Sequence, residues 1–174
     1  MIRQRALTSA GVRRRQLLRV GFASALALSA TELAVAVAPY LRVTRIVGFG
    51  APVAVGTASD IFGQLAATND RPILFREGRF FLLHAPGGII AAYRKCTHLG
   101  CTVPFSVEKD FFECPCHGSR YDKNTATVLR TPAPRPLDLF HISQQPSGVL
   151  IVDTNPLNVM KRNDWDPRQL EIRE

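Results

Sequence analysis

Apolar positions are grouped in two different ways along this chain. From Val20 to Leu41 they form a block made mostly of Ala, Val and Leu, 22 residues with no basic side chain. As a helix of about 33 Å this block is long enough to cross a bilayer. Beyond Gly56 the apolar positions come instead in short runs: Pro72–Phe75, Arg79–His84, Gly88–Tyr93, Phe111–Glu113, Leu137–Ile142 and Val149–Val152, punctuated throughout by Pro, Gly, Asn and Asp. Runs of that length at close spacing predict an antiparallel β domain, and nothing after Leu41 offers a strong helical period. No internal repeat or low-complexity stretch interrupts them.

Between the two regimes lies Ile46–Gly56 (IVGFGAPVAVG), with three glycines and one proline among small uncharged residues. This composition predicts a tether, or else an ordinary loop entering the first strand. The chain of 174 residues then divides into a basic segment 1–19, a membrane anchor 20–41, a tether 42–56, a β domain 57–154 and a tail 155–174. That length suits one compact domain with a modest appendage. Trp165 in the tail is expected to pack on the domain surface.

Charge changes the picture mainly at the N-terminus. Of 22 basic residues, eight arginines fall within residues 1–45 against the single acid Glu32, which leaves 14 basic and 13 acidic residues for the remainder. The β domain is thus nearly neutral, which argues against a nucleic-acid-binding face. Arg14-Arg15-Gln16-Leu17-Leu18-Arg19 resembles a twin-arginine export signal. The arginines ahead of the apolar block, with only Arg42 and Arg45 close behind it, predict a cytoplasmic N-terminus and a β domain on the outer face. Glu32 is the costly residue in a membrane span, at roughly 2.5–3.5 kcal/mol if ionised at mid-depth. It is expected to be protonated or to face a partner. The competing reading is a cleaved signal peptide with an apolar core of Val20–Ala30 and removal near Ala30 or Ala38; the apolar character resumes after Glu32, which favours retention.

All four cysteines fall within Cys96–Cys116, in two boxes: Cys96-Thr97-His98-Leu99-Gly100-Cys101 and Cys114-Pro115-Cys116-His117-Gly118-Ser119-Arg120-Tyr121-Asp122. Each box offers a Cys and a His to a metal. A Cys-x-His pair and a Cys-x2-His pair suit a [2Fe-2S] cluster with both thiolates on one iron and both imidazoles on the other. A structural zinc site could use the same four ligands. It would leave Cys101 and Cys116 without a role and would not explain Ser119 and Tyr121. His84 and His141, in apolar runs away from the boxes, are expected to be structural.

CTHLGC followed by CPCHGSRYD resembles the Rieske iron–sulfur proteins, specifically the quinol-oxidising branch found in cytochrome bc complexes, over roughly Val55–Asp153. The resemblance implies a Rieske-type antiparallel β domain with a small cluster-binding subdomain, and one [2Fe-2S] cluster held by Cys96, His98, Cys114 and His117. It further implies a disulfide between Cys101 and Cys116, in keeping with an oxidising compartment. At Ser119 and Tyr121 it implies hydroxyls that donate to a bridging sulfide and to a ligand cysteine sulfur, which raises the reduction potential. Thr131–Leu137 (TPAPRPL) resembles the proline-rich loop that forms a third wall of the cluster site. Two departures stand out: Thr131 occupies a position where the family usually has Gly, and Asn124-Thr125-Ala126 lacks the usual turn glycine.

The implied function is that of a membrane-anchored Rieske subunit of a quinol:cytochrome c oxidoreductase in the bacterial plasma membrane. Its partners would be a cytochrome b-type subunit with its quinol and a c-type cytochrome, in a membrane complex expected to be dimeric. His117 would accept a hydrogen bond from quinol, with His98 as the second imidazole ligand, and the two are the candidate catalytic residues. Two rival readings are a Rieske relay subunit of a periplasmic molybdenum enzyme such as arsenite oxidase, and a soluble exported Rieske ferredoxin. Gly118 and Tyr121 argue against the first. A retained helix argues against the second.

Overall fold

The computed structural model describes residues 14–41 and 49–173. The first part of the basic segment and residues 42–48 of the expected tether lie outside the described residues. The chain forms two units, which divide after Thr44.

The N-terminal unit contains α1 (Arg14–Leu41), a helix of 28 residues that buries none of its side chains. At 1.5 Å rise per residue it is about 42 Å long. It begins earlier than Val20, so Arg14, Arg15 and Arg19 are helical; arginine and leucine both favour helix, and nothing in Arg14–Arg19 breaks it. Pro39 lies within the last turn. Large apolar side chains such as Phe22, Leu28 and Val35 are at least 66% exposed. The helix is long and apolar enough to span a membrane.

In the second unit the elements are β1 (Pro52–Thr57), α2 (Ala58–Ala67), β2 (Ile73–Phe75), β3 (Phe80–Ala85), β4 (Gly88–Tyr93), β5 (Phe105–Ser106), β6 (Phe111–Glu113), β7 (Arg120–Tyr121), β8 (Val128–Arg130), β9 (Leu139–Phe140), β10 (Ile142–Gln144), β11 (Val149–Asp153), β12 (Val159–Met160) and β13 (Ile172–Arg173). They form three antiparallel sheets. One is β1-β11-β10; one is β12-β9-β4-β3-β2 with β13 also on β4; and the small one is β5-β6-β7-β8.

The β3–β4 hairpin is the wall between two apolar cores. Phe81, Leu83, Ile90 and Ala92 face one core together with Cys96, Phe112, Cys114 and Tyr121. Phe80, Leu82, Ile89 and Ala91 face the other together with Ile61, Leu65, Leu150 and Val152. Burial on both faces explains why the sequences FFLLHA and GIIAAY are continuously apolar rather than alternating. Each fully buried Leu, Ile or Phe there is worth roughly 1.5–3 kcal/mol. Gly88 is required by the close approach of β13: a Cβ would stand 2.0 Å from the Ile172 carbonyl oxygen.

Two expectations are corrected, and the tail, whose role the sequence leaves open, is placed. A helix follows β1 where none was expected. Its Thr57 cap accepts from the Asp60 N–H at 3.3 Å and only Ile61 and Leu65 are buried, a stripe too short to register as a helical period. The C-terminal part of the expected tether, Pro52–Gly56, is strand β1, paired with β11. Ahead of it the Gly50 N–H donates to Thr154 Oγ1 at 2.9 Å and Thr154 Oγ1 donates to the Ala51 carbonyl at 2.6 Å, so this stretch is fastened to the domain. The tail, lastly, is part of the fold. β12 and β13 complete the central sheet, Leu170 and Ile172 are buried, and Trp165 packs against the first core.

Candidate metal centre

Strand β4 runs into the first box and β6 into the second, and both boxes fold on one backbone plan. The Cys96 N–H donates to the Cys101 carbonyl at 2.8 Å, and the Gly100 N–H returns to the Cys96 carbonyl at 2.9 Å. In the second box Cys114 N–H to Ser119 carbonyl is 2.8 Å, and Gly118 N–H to Cys114 carbonyl is 2.9 Å. Closing so tight a loop puts Gly100 at φ 82° and Gly118 at φ 73°, the left-handed region that glycine enters without a Cβ penalty. Backbone N–H groups two and three residues on then point at each cysteine sulfur: those of His98 and Leu99 at Cys96, those of Cys116 and His117 at Cys114.

The expected disulfide is present. Cys101 and Cys116 are bonded across the two loops, with their Cα atoms 6.7 Å apart. Cys96 and Cys114 are free and buried, and their thiols are hydrogen-bonded to each other. The sulfurs of Cys101 and Cys116 also lie within 4.8 Å of the Cys114 sulfur, but a disulfide offers no thiolate and these two are not metal donors. The imidazoles of His98 and His117 face each other with ring centroids 4.9 Å apart. His98 is half-buried and His117 exposed.

Burial pushes the Cys96 thiol up, but the Tyr121 hydroxyl, the His98 and Leu99 N–H groups and Cys114 outweigh it and hold Cys96 below the ordinary thiol value. For Cys114, burial is reinforced by the hydrogen bond and charge of Cys96 and the thiol is raised, despite the Cys116 and His117 N–H groups. Tyr121 is raised first by burial and then by its contact with Cys96, so it stays a neutral donor.

Around the loops a further shell fixes the side chains. Tyr121 is fully buried, and its Oη stands 3.2 Å from Cys96 Sγ and accepts from the Thr97 N–H at 3.3 Å. Thr97 Oγ1 donates to the Arg135 carbonyl at 2.6 Å. Ser119, also fully buried, accepts the Ala133 N–H on Oγ at 3.0 Å, which leaves its own hydroxyl hydrogen to donate. The Thr131–Leu137 segment therefore touches both loops and closes a third side. Arg135 is held by both carboxylate oxygens of Asp138.

The turn without its glycine has another support. Ala126 takes φ 53°, and Asp122 Oδ1 accepts from the Asn124 and Thr125 N–H groups at 3.0 and 2.7 Å. Arg162, buried in the tail, donates to the Thr125 carbonyl and, at 2.9 Å, to the Leu137 carbonyl. Burial lowers this guanidinium to about 10. Sequence reasoning missed both Thr97 and Arg162. Thr97 stood inside the first box and could have been suspected there, whereas nothing in the tail's sequence marks Arg162. His84 and His141 have structural partners, Asp70 and Glu171, each at 2.7 Å.

Two thiols and two imidazoles thus converge from two loops, sealed by a disulfide, and this donor set suits a mixed thiolate and imidazole iron–sulfur centre. The chain belongs to the Rieske [2Fe-2S] domain family, whose model matches residues 53–144, and the domain indicates one Rieske-type [2Fe-2S] cluster. Among curated proteins it is similar to the cytochrome b6-f complex iron-sulfur subunit of Synechococcus sp. (strain JA-2-3B'a(2-13)), 40% identical over 93 residues that cover 52% of each chain. It is also similar to the cytochrome b6-f complex iron-sulfur subunit 1 of the Cyanophora paradoxa cyanelle, 53% identical over 55 residues, 32% of this chain and 23% of that one. The chain spans about half or less of the length of these relatives. Among solved structures, the plasma membrane Rieske protein PetC3 from Synechocystis PCC 6803 is 29% identical at a TM-score of 0.41, covering 57% of this chain and 97% of that one.

Proposed function

We propose that this chain is the Rieske subunit of a quinol-oxidising cytochrome complex of the bc or b6-f kind, anchored by α1 with its β domain on the outer face of a bacterial plasma membrane. The observation that carries the reading is the asymmetric pair of imidazoles on a disulfide-sealed double loop: His98 half-buried and His117 exposed beside it. The names of the curated relatives support the same assignment.

In this reading Cys96 and Cys114 would hold one iron and His98 and His117 the other. The bound cluster supplies a one-electron acceptor whose reduction favours a protonated ligand imidazole. His117, exposed at the loop tip, presents its ring edge to quinol in a partner subunit and holds the proton that leaves it. Tyr121 and Ser119 donate hydrogen bonds that favour the reduced state. The Thr131–Leu137 segment and the disulfide keep water from the thiolates. The acceptor that this reading would assign to the electron is a c-type cytochrome.

Purification from membranes in mild detergent tests this. A haem-b subunit should co-purify, and added quinol should reduce the centre in that preparation with the g-values of a mixed-ligand cluster. A centre that purifies without haem partners and resists reduction by any quinol would overturn the assignment.

A further inference from the structure

Beside the first loop, and apart from the imidazoles, a concavity of about 580 Å³ is lined by Arg76, Arg79, Tyr93, Arg94, Lys95 and Thr102. Backbone geometry gathers the cations. The Arg79 N–H donates to the Arg76 carbonyl at 3.3 Å in the turn before β3, and the Arg94 N–H donates to the Arg79 carbonyl at 2.9 Å. Arg79 lies over the Phe49 ring at 4.6 Å, and Arg94 over Phe81 at 5.3 Å, so both side chains rest on aromatic faces.

What is missing is a counter-charge. Lys109, Arg120, Lys123, Arg135 and Arg168 are each paired with a carboxylate. Among the described residues no acid pairs with Arg76, Arg79, Arg94 or Lys95, and no carboxylate lines the concavity. One donor of the lining residues is also unused: Arg94 Nε is buried without a hydrogen-bond partner. Tyr93, nine-tenths buried, is a further lining residue and the one neutral hydroxyl donor beside Thr102. Four like charges in one hollow repel one another, and a multivalent anion turns that repulsion into attraction. Guanidinium forks match the oxygens of a phosphate in pairs. The volume falls within the range of roughly 300–1,000 Å³ of small-ligand sites, larger than a lone phosphate needs.

We propose that Arg76, Arg79, Arg94 and Lys95, with the Tyr93 hydroxyl, bind a phosphate monoester or diester. The ligand is either a soluble phosphate compound or the headgroup of an anionic phospholipid. The second source has a basis in the chain itself, which carries an apolar helix long enough to span a membrane.

The test is calorimetric titration of the full-length holoprotein in neutral detergent at constant ionic strength. One titrant is inorganic phosphate and the other a short-chain phosphatidylglycerol below its micelle concentration. Saturable binding to one site is expected, and Arg76→Gln and Arg79→Gln should each weaken it about tenfold or more, as loss of a charge-assisted contact predicts. Arg168→Gln, which removes an equal charge elsewhere, should leave it unchanged. Circular dichroism and the cluster spectrum should show all three variants folded. Binding of both titrants supports a phosphate site indifferent to the rest of the ligand, and binding of the lipid alone identifies the headgroup as the source. Absence of saturable binding to either, or a loss in Arg168→Gln as large as in the pocket variants, would overturn the proposal.

Discussion

The loops Cys96–Cys101 and Cys114–Ser119 share a backbone plan and differ in what surrounds it. Each closes on a bond from its first N–H to the carbonyl five residues on, each returns through a glycine at positive φ, and each aims two N–H groups at a cysteine sulfur. Outside that frame they part. The first loop is tied by Tyr121 and Thr97, its stem joined by a backbone bridge between Lys95 and Thr102. The second is tied by Ser119 to Ala133, and its stem carries an ion-pair cluster on Glu113. The comparison separates two jobs. The shared backbone places two sulfurs side by side, and the unshared side chains make the two sulfurs, and the two imidazoles, unequal.

The contact that joins the loops has the largest expected effect. Cys101 belongs to one loop and Cys116 to the other, 15 positions apart in sequence. Replacing both with serine should cost about 3 kcal/mol of stability through the entropy regained by the unfolded chain. Denaturant unfolding of the oxidised variant and wild type measures this, and loss of the visible cluster spectrum should precede global unfolding. A variant as stable as wild type would mean that the two frames hold each other through backbone bonds alone.

Next come the two glycines, which test whether the frames are equivalent. Gly118 has open space around it, so Gly118→Ala should cost only the left-handed backbone penalty of about 1–2 kcal/mol. Gly100→Ala should cost slightly more, because the new Cβ would meet the flexible end of Lys95 at 3.1 Å. Unfolding midpoints of the pair check the order. A neutral Gly118→Ala would show that the second loop is free to leave this conformation.

The side chains that distinguish the loops act on the reduction potential. Tyr121→Phe removes a donor from Cys96, and Ser119→Ala removes the hydroxyl hydrogen left over from the bond to Ala133. If each donor favours the reduced state by about 1 kcal/mol, each variant should lower the potential by roughly 40 mV. Redox titration followed by electron paramagnetic resonance reads it. A shift in Tyr121→Phe alone would mean that the donor side of the asymmetry belongs wholly to the first loop.

How much of this was legible beforehand depended on how local the signal was. The two boxes carry their chemistry in consecutive residues, and the resemblance they carry implies the disulfide and the hydroxyls of Tyr121 and Ser119; the facing of the two imidazoles is visible only in the fold. The apolar runs of α1, β3 and β4 were equally plain, because an unbroken apolar stretch shows in the sequence without reference to a partner, whereas the burial of β3 and β4 on both faces is a property of the fold. Short elements left no such mark. α2 buries only Ile61 and Leu65, although Thr57 and Asp60 at its start form a capping pair that could have been noticed. β12 and β13 contribute two residues each to a sheet whose other strands lie far away in sequence. Arg162 replaces the support of a missing turn glycine from 36 positions downstream of Ala126, a relation fixed only by tertiary packing. Pro52–Gly56 looked like a tether because glycine and proline suggest one, yet its partner β11 overrides that preference.

The smallest effect is expected at the stem of the second loop, where Glu113 precedes Cys114. Its carboxylate receives Lys109 Nζ at 2.6 Å and Arg120 Nε at 3.0 Å, and Arg120 lies opposite it across β6 and β7. The hydrogen bond from Lys109, then that from Arg120, holds this carboxyl below the ordinary glutamate value. The sign of the pH dependence follows. A carboxyl that is more acidic in the folded chain than in the unfolded one contributes stability above the unfolded value of about 4.3, and the contribution disappears as pH falls through the lower folded value. These ion pairs are solvated, so the contribution is small and screened by salt. Glu113→Gln should therefore lower the denaturant midpoint at pH 7 by less than either glycine variant, and the gap should narrow in high salt and close below the folded value. The matching change at the first stem, Lys95→Gln, should not lower the midpoint and should add no loss of stability at acid pH, because a backbone bridge rather than an ion pair joins Lys95 to Thr102 and removal of one of four like charges only relieves repulsion. Equal pH profiles for wild type and Glu113→Gln would remove the ion pairs from the account of the second loop and leave its stem, like the first, to the backbone.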